Sequence, residues 1–486
     1  MKPRRANTGL AWIACLYAGI LGCGGPAEDA QAVRPNLLLI VADDLGYADL
    51  GVYGSEIETP NLDRLAQDGV QLSNFHVAAT CSPTRAMLLS GVDNHRNGLG
   101  SMDTFMAATQ RGLPGYEGYL NRRVAVVSEL LRDAGYDTWF AGKWHLGTSA
   151  GTWPVDRGFS RSYALLEGSG DNYSDVGPAP VLPRVTFVED DRKVEREAGH
   201  SSRLFVDKLL AWLDADRDAG RPFFGVLSFQ AVHWPHQAPR AYVEKYGETY
   251  ARGWEALRAE RFAKLQARGL VDPGLTLPPP SDRVPNWGEL DADERLFEAW
   301  RMAAYAGMTE HMDAQIGRVI ERLRELGVHR NTAVFFVSDN GPDASEPDRA
   351  PRAREWYARH YPDPSLENMG GPGSFPTYGP QWAQLGTTYL RDFKGSASEG
   401  GLRVPLIATY PAGWAGGSVS DTFGFVTDLV PTLLEIAGVE HPGTRYGERD
   451  VHPLDGRSLL PLLRGESETL HPPDEPVPYQ LMKNSA

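Results

Sequence analysis

Four groups of residues in this chain have types and spacings that can do chemistry together. Asp43-Asp44 and Asp339-Asn340 are pairs of oxygen donors, each just after an apolar run, Asn36 to Ala42 and Thr332 to Val337. Oxygen donors without a histidine cluster favour Ca²⁺ or Mg²⁺ over Zn²⁺. Lys143 and His145 in Gly142-Lys143-Trp144-His145-Leu146-Gly147 combine a fixed positive charge with a base that titrates near neutral pH. His233 in His233-Trp234-Pro235-His236 and Lys394 in Phe393-Lys394-Gly395-Ser396 repeat that combination further along. Arg85 closes the run Cys81-Ser82-Pro83-Thr84-Arg85, in which Pro83 suits the first turn of a helix. A thiol just ahead of that helix faces backbone N–H groups and the positive dipole end, a place built for an anion. Singly, each motif has a plainer reading: Cys81 as a buried structural thiol, the Asp pairs as turns or caps. Their joint occurrence in this order favours the chemical one.

Five apolar runs read as buried parallel strands: Asn36 to Ala42, Asp137 to Phe140, Phe223 to Phe229, Thr332 to Val337 and Val404 to Tyr410. Helical patterns cover Asn61 to Asp68, Val124 to Ala134, Arg301 to Leu326 and Thr427 to Ala437, the last three stopped by Gly135, Gly327 and Gly438. The alternation predicts an α/β fold with a sheet covered on both faces. Both acidic pairs then fall at carboxyl ends of strands, where ligands of open α/β sheets collect. Lys143 and His145, two residues apart, are expected on one side of an extended segment. Ala238 to Trp300 and Gly341 to Gly386 look like insertions forming walls or lids over one face. Trp356, Tyr357, Tyr378 and Trp382 suggest an apolar leaving group.

With 486 residues, 42% of them hydrophobic, the chain can bury a large core. A net charge of −15 with no basic stripe argues against nucleic acid as a partner. Lys2, Arg4 and Arg5 precede an apolar run from Leu10 to Leu21, too short to span a bilayer and shaped like a secretory signal. Ile20-Leu21-Gly22-Cys23 has the form of a bacterial lipobox, with Cys23 lipidated; the alternative is an ordinary signal cut a few residues later. Of the three cysteines, Cys15, Cys23 and Cys81, only Cys81 remains a free thiol in the mature chain, and no disulfide framework is possible. In an exported protein a single leftover thiol needs an explanation.

Cys81-Ser82-Pro83-Thr84-Arg85, continuing into Ala86-Met87-Leu88-Leu89-Ser90-Gly91, resembles the sulfatase signature, and Gly142 to Gly147 matches the second signature of that family. With Glu399-Gly400-Gly401-Leu402-Arg403-Val404-Pro405, the resemblance to type I sulfatases runs from about Pro35 to Leu463. Gly115-Tyr116-Glu117-Gly118-Tyr119-Leu120-Asn121 and Gly158-Phe159 bring it closest to bacterial arylsulfatases of the Pseudomonas type.

The resemblance implies an alkaline-phosphatase-like α/β sandwich with a large mixed, mostly parallel sheet. The catalytic domain would span 34–464 behind a signal at 1–23. Residues 465–486 would begin a small C-terminal antiparallel sheet, expected to be truncated at Ala486. It implies hydrolysis of sulfate monoesters, aryl or alkyl, small-molecule or glycan, through a covalent intermediate on formylglycine. That residue is made from Cys81 by a formylglycine-generating enzyme. One Ca²⁺ would be held by Asp43, Asp44, Asp339, Asn340 and an oxygen of modified residue 81. Arg85 and Lys143 would hold that residue's oxygens, while Lys143, Lys394 and His233 grip the sulfate. His145 would take the proton of the remaining hydroxyl, and His233 would assist the leaving oxygen. The expected location is the periplasm or the outer membrane of a Gram-negative bacterium, with the lipid anchor as the only membrane contact. His76 and His95 are read as structural, and His236 as structural or lining the substrate mouth. Two rivals remain: a phosphonate or phosphate ester hydrolase of the same superfamily, and a non-catalytic lipoprotein that binds sulfated glycans with Cys81 unmodified.

Overall fold

In the computed structural model, residues 34–216, 220–282, 284–481 and 484–485 are described. The signal and lipobox readings on residues 1–23 lie outside them. The main sheet has eleven strands: β1 (Asn36–Ala42), β2 (Val70–His76), β3 (Asp137–Lys143), β4 (Arg161–Leu165), β5 (Phe187–Glu189), β6 (Arg192–Val194), β7 (Phe223–Ser228), β8 (Thr332–Ser338), β9 (Arg403–Thr409), β10 (Ser418–Ser420) and β11 (Gly424–Phe425). Their order is β10-β2-β9-β8-β1-β7-β3-β4-β5-β6, with β11 also on β2.

The strip β8-β1-β7-β3-β4 is parallel throughout. All seven residues of β1 are buried, because both faces of the strand are covered. Alternation splits them between two cores: Leu38 and Ile40 pack on one side, Leu37, Leu39 and Val41 on the other. The parallel strip brings the ends of β1, β3, β7 and β8 to one edge, so Asp43, Lys143, Ser228 and Asp339 arrive together.

Several sequence expectations need correction. Val404 to Tyr410 was expected to be parallel; β9 runs antiparallel to both β8 and β2, and its apolar run could not reveal direction. The strand expected to end at Phe140 continues to Lys143, since Gly142 at φ 130° lets the backbone pass Ser228 where any Cβ would clash. The long helix starts at Ala292, not Arg301, behind a reciprocal cap in which Asp291 accepts from the Glu294 N–H and Glu294 accepts from the Asp291 N–H. The end of the supposed insertion Ala238 to Trp300 therefore belongs to the helical layer. Trp382 and Tyr378 are core residues, at 0% and 1% exposure, and Tyr357 is buried; among the four aromatics only Trp356 keeps a partly open surface.

The loop after β1 is tied down from behind. Asp49 accepts from the Gly46 N–H, from Tyr305 Oη and from Arg261 Nη1, all buried. Arg261 also pairs with Glu56. Residues 466–479 pack back on the same unit, with His471 on Asp428 and the Tyr479 ring against Phe425. Gln480–Leu481 pairs antiparallel with Asn484–Ser485. Among the described residues no helix is long and apolar enough to cross a membrane.

Candidate active site

Cys81 is the first residue of the helix Cys81–Ser90, all ten of whose residues are buried, with Thr80 extended ahead of it. Ligand atoms of Asp43, Asp44, Cys81 and Asp339 all lie within 4.8 Å of one another. Cys81 Sγ stands 3.5 Å from Asp43 Oδ1 and 3.8 Å from Asp44 Oδ1. Asp44 turns its carboxylate into this cluster from a left-handed backbone (φ 61°), a conformation that Asp tolerates better than most residues. Its N–H donates to Asp339 Oδ1 (3.2 Å), and Asn340 Nδ2 donates to Asp44 Oδ1 (2.6 Å).

Three fixed cations surround the carboxylates. Lys143 Nζ donates to both oxygens of Asp43, at 2.8 and 2.7 Å, and Lys394 Nζ lies 2.8 and 2.9 Å from those of Asp44. Arg85 donates from Nε to Asp339 (2.7 Å) and from Nη1 to Ser228 Oγ (2.6 Å) and the Lys143 carbonyl (3.0 Å). Its Nη2 is buried without a hydrogen-bond partner.

Burial pushes the Asp43 carboxyl up against the pull of Lys143, and pushes Asp44 up to about 8 against Lys394, with Asp43 adding to the rise. Asp339 stays low because Arg85, Lys143 and Lys394 together outweigh its burial. So much carboxylate in one buried place suits a hard cation. Asn340 Oδ1 is a further buried oxygen with no partner, so the donor set fits a divalent cation of the Ca²⁺ class.

His145 and His233 flank the cluster. His145 was expected to share a side with Lys143 through strand alternation, but the strand ends at Lys143 and His145 has φ 55°. The turn, rather than the pleat, aims the ring, and Gly168 lies so close that a Cβ there would meet His145 Cε1 at 2.8 Å. Its Nδ1 is buried without a partner. His233 Nδ1 pairs with the Trp234 carbonyl (2.7 Å), which turns Nε2 to Asp44 Oδ2 at 3.6 Å. Burial holds both imidazoles well below their ordinary pKa; Lys143, Arg85 and Lys394 add to this at His145, Lys394 and Lys143 at His233.

All ten residues expected at the site thus converge on one buried cluster. The other histidines do not. His76 pairs with Glu399 and His95 with Asp93. His236, 1% exposed, packs edge-on against Tyr305 and Tyr378 in the core and lines no mouth.

Among known families, residues 35–439 match the one described as Sulfatase. The chain belongs to the sulfatase family. It is a sulfuric ester hydrolase, and its fold is the alkaline-phosphatase-like one of that family. It is 43% identical over 438 residues to an uncharacterised sulfatase of Schizosaccharomyces pombe, covering 87% of this chain and 78% of that one. It is 33% identical over 439 residues to an arylsulfatase of Klebsiella aerogenes, covering 90% and 93%. The crystal structure of Ps i-CgsB in complex with k-i-k-neocarrahexaose superposes with TM-score 0.60 at 25% identity, over 88% of this chain and 76% of that one. The phosphonate monoester hydrolase of Agrobacterium radiobacter, at TM-score 0.52 and 23% identity over 92% and 79%, shares the fold alone. Sulfatases generally use a metal ion and a formylglycine, and the Asp43–Asp44–Cys81–Asp339 cluster is a candidate metal site.

Three contributors at this sulfatase site escaped the sequence reading. Ser228, the last residue of β7, bridges Arg85 and the Lys143 carbonyl. Gly168 backs His145 from a loop after β4, a strand with no clear apolar run. Asp343 accepts from Trp234 Nε1 (3.0 Å) and lies 3.5 Å from Lys394 Nζ. Its position three residues past Asn340, in the same strand-end loop, is the signal that could have found it.

Proposed function

We propose that Cys81 is converted to formylglycine by a separate maturation enzyme and that the protein then hydrolyses aryl or alkyl sulfate monoesters at a Ca²⁺-assisted site. The observation that carries this reading is the position of Cys81, within 3.8 Å of Asp43 and Asp44 at the start of a buried helix and ringed by Arg85, Lys143 and Lys394. Hydrated, the aldehyde supplies two geminal hydroxyls, one to attack sulfur and one to expel sulfate. Asp43, Asp44, Asp339, Asn340 and an oxygen of residue 81 would hold the Ca²⁺, which would supply positive charge against the sulfate oxygens.

The chain's own groups do the rest. Arg85 offers Nη2, which has no hydrogen-bond partner and lies 3.9 Å from Asp43 Oδ1, to residue 81's oxygens, and Lys143 is the second cation beside them. Lys143, Lys394 and His233 hold the sulfate. His233, anchored through Nδ1, presents Nε2 to the departing oxygen, and His145, a neutral base, takes the proton of the remaining hydroxyl. The glycan bound by Ps i-CgsB supports including sulfated saccharides among the substrates.

Asp339→Ala should lose the bound metal and nearly all turnover, because it removes a ligand and frees the Arg85 side chain that Asp339 fixes. Elemental analysis of the matured protein should find calcium. Full activity in strong chelator, with no metal detected, would overturn the assignment.

The sequence motif at Ile20 to Cys23 supports export and lipid anchoring to a Gram-negative envelope, with 34–464 as the catalytic domain. Labelled palmitate should enter the full chain and not its Cys23→Ala variant; equal labelling would refute the anchor.

A further inference from the structure

Asp343 belongs to none of the motifs that mark the site, yet it is built into it. One carboxylate oxygen accepts from the Trp234 indole N–H at 3.0 Å, and the other from the Ser345 N–H at 2.9 Å. The same Oδ2 lies 3.5 Å from Lys394 Nζ, so Lys394 is shared between Asp343 and Asp44. Ligand atoms of Asp44, His233 and Asp343 all lie within 4.8 Å of one another. The Asp343 side chain is 15% exposed and that of Lys394 8%, so water screens this charge poorly.

The charges around the reacting group can be counted. With a cation bound and their carboxylates ionised, Asp43, Asp44, Asp339 and Asp343 face the three fixed cations Arg85, Lys143 and Lys394. One divalent cation brings the balance to a single positive charge. A sulfate monoester carries one negative charge, whereas a phosphate monoester carries close to two above its second pKa of about 6. Without Asp343 the balance would be two positive charges and would suit the phosphate ester.

We propose that Asp343 is a specificity-determining residue: its carboxylate, held by Trp234 and Ser345 beside Lys394, sets the charge of the site for monoanionic esters and against dianionic ones. This rests on the reading of Cys81 and its neighbours as the reacting site.

The test compares nitrophenyl sulfate, nitrophenyl phosphate and a nitrophenyl phosphonate monoester at mildly alkaline pH, in the matured protein and its Asp343→Asn variant. The ratio of kcat/KM for sulfate over phosphate should fall about 10- to 100-fold, the scale on which one unit charge acts on a neighbouring anion at an effective dielectric of about 20. The phosphonate monoester, a monoanion, should keep its ratio to sulfate. Ratios within one protein sample cancel any difference in formylglycine content. Asp343→Glu should keep the original sulfate preference, and Asp343→Ser replaces the asparagine variant if that one does not fold.

A sulfate-to-phosphate ratio unchanged in the uncharged variants would overturn the proposal. So would a phosphonate ester that shifts with the phosphate, or a glutamate variant that shifts as far as the asparagine one. Affinities of benzenesulfonate and benzenephosphonate, read by calorimetry, should move in the same direction and need no turnover. Failure of the unsubstituted protein to hydrolyse any ester would therefore count against the reading of Cys81, while the two affinities still decide the role of Asp343.

Discussion

Cys81→Ala should lower sulfate ester hydrolysis by on the order of 10⁶-fold, the scale on which loss of a covalent nucleophile acts in other hydrolases. The unmodified thiol is itself a poor candidate for that role. Burial pushes its pKa well up, and the Asp339 carboxylate adds to the rise, so little thiolate exists near neutral pH. A Cys81→Ser variant separates the two functions asked of residue 81. Its single hydroxyl could attack sulfur but has no second oxygen with which to expel sulfate, so it should stop after one turnover as a stable ester. Peptide mass spectrometry should show the aldehyde at residue 81 of active protein. Activity of the alanine variant within about tenfold of the original, or a plain thiol in fully active enzyme, would remove formylglycine from the reaction.

The second large effect separates His145 from His233. The alcohol leaves first, and nitrophenolate needs little protonation where an alkoxide needs much. His233→Ala should therefore slow alkyl sulfates far more than nitrophenyl sulfate. His145 acts afterwards, when the remaining hydroxyl must lose its proton. His145→Ala should release one equivalent of nitrophenol in a burst and then stall with sulfate on the protein, slowed by about 10²–10⁴-fold. The pKa of His145 is lowered, so it is already in its basic form at neutral pH. Its step should be flat through the neutral range and fall only on the acidic side. Stopped-flow release of nitrophenol with intact-mass analysis measures both. A burst and sulfated adduct from His233→Ala but not from His145→Ala would exchange the two roles.

Much of this site was legible because its chemistry is carried by short runs. Cys81 to Arg85 lie within one helix turn, and the Asp43-Asp44 and Asp339-Asn340 pairs follow strands whose apolar character alone places their carboxyl ends at a ligand-binding edge. Strand direction was less legible. β9 is as apolar as its parallel neighbours, and only pairing shows that it runs the other way. The aromatic residues Tyr378 and Trp382 misled for a similar reason: the side chains that suit an apolar pocket also suit a core.

By itself, then, the sequence determined which side chains could act and that strand ends would gather them, since donor type and local periodicity are properties of neighbouring residues. Only the tertiary structure decided how they are aimed and charged. The left-handed backbones of Asp44 and His145, the closeness of Gly168, the Ser228 bridge to Arg85 and the place of Asp343 beside Lys394 all arise from chain segments far apart in sequence. The electrostatics follow the same division, because the shifts at Asp44, His145 and His233 come first from burial, and burial exists only once both faces of the sheet are covered.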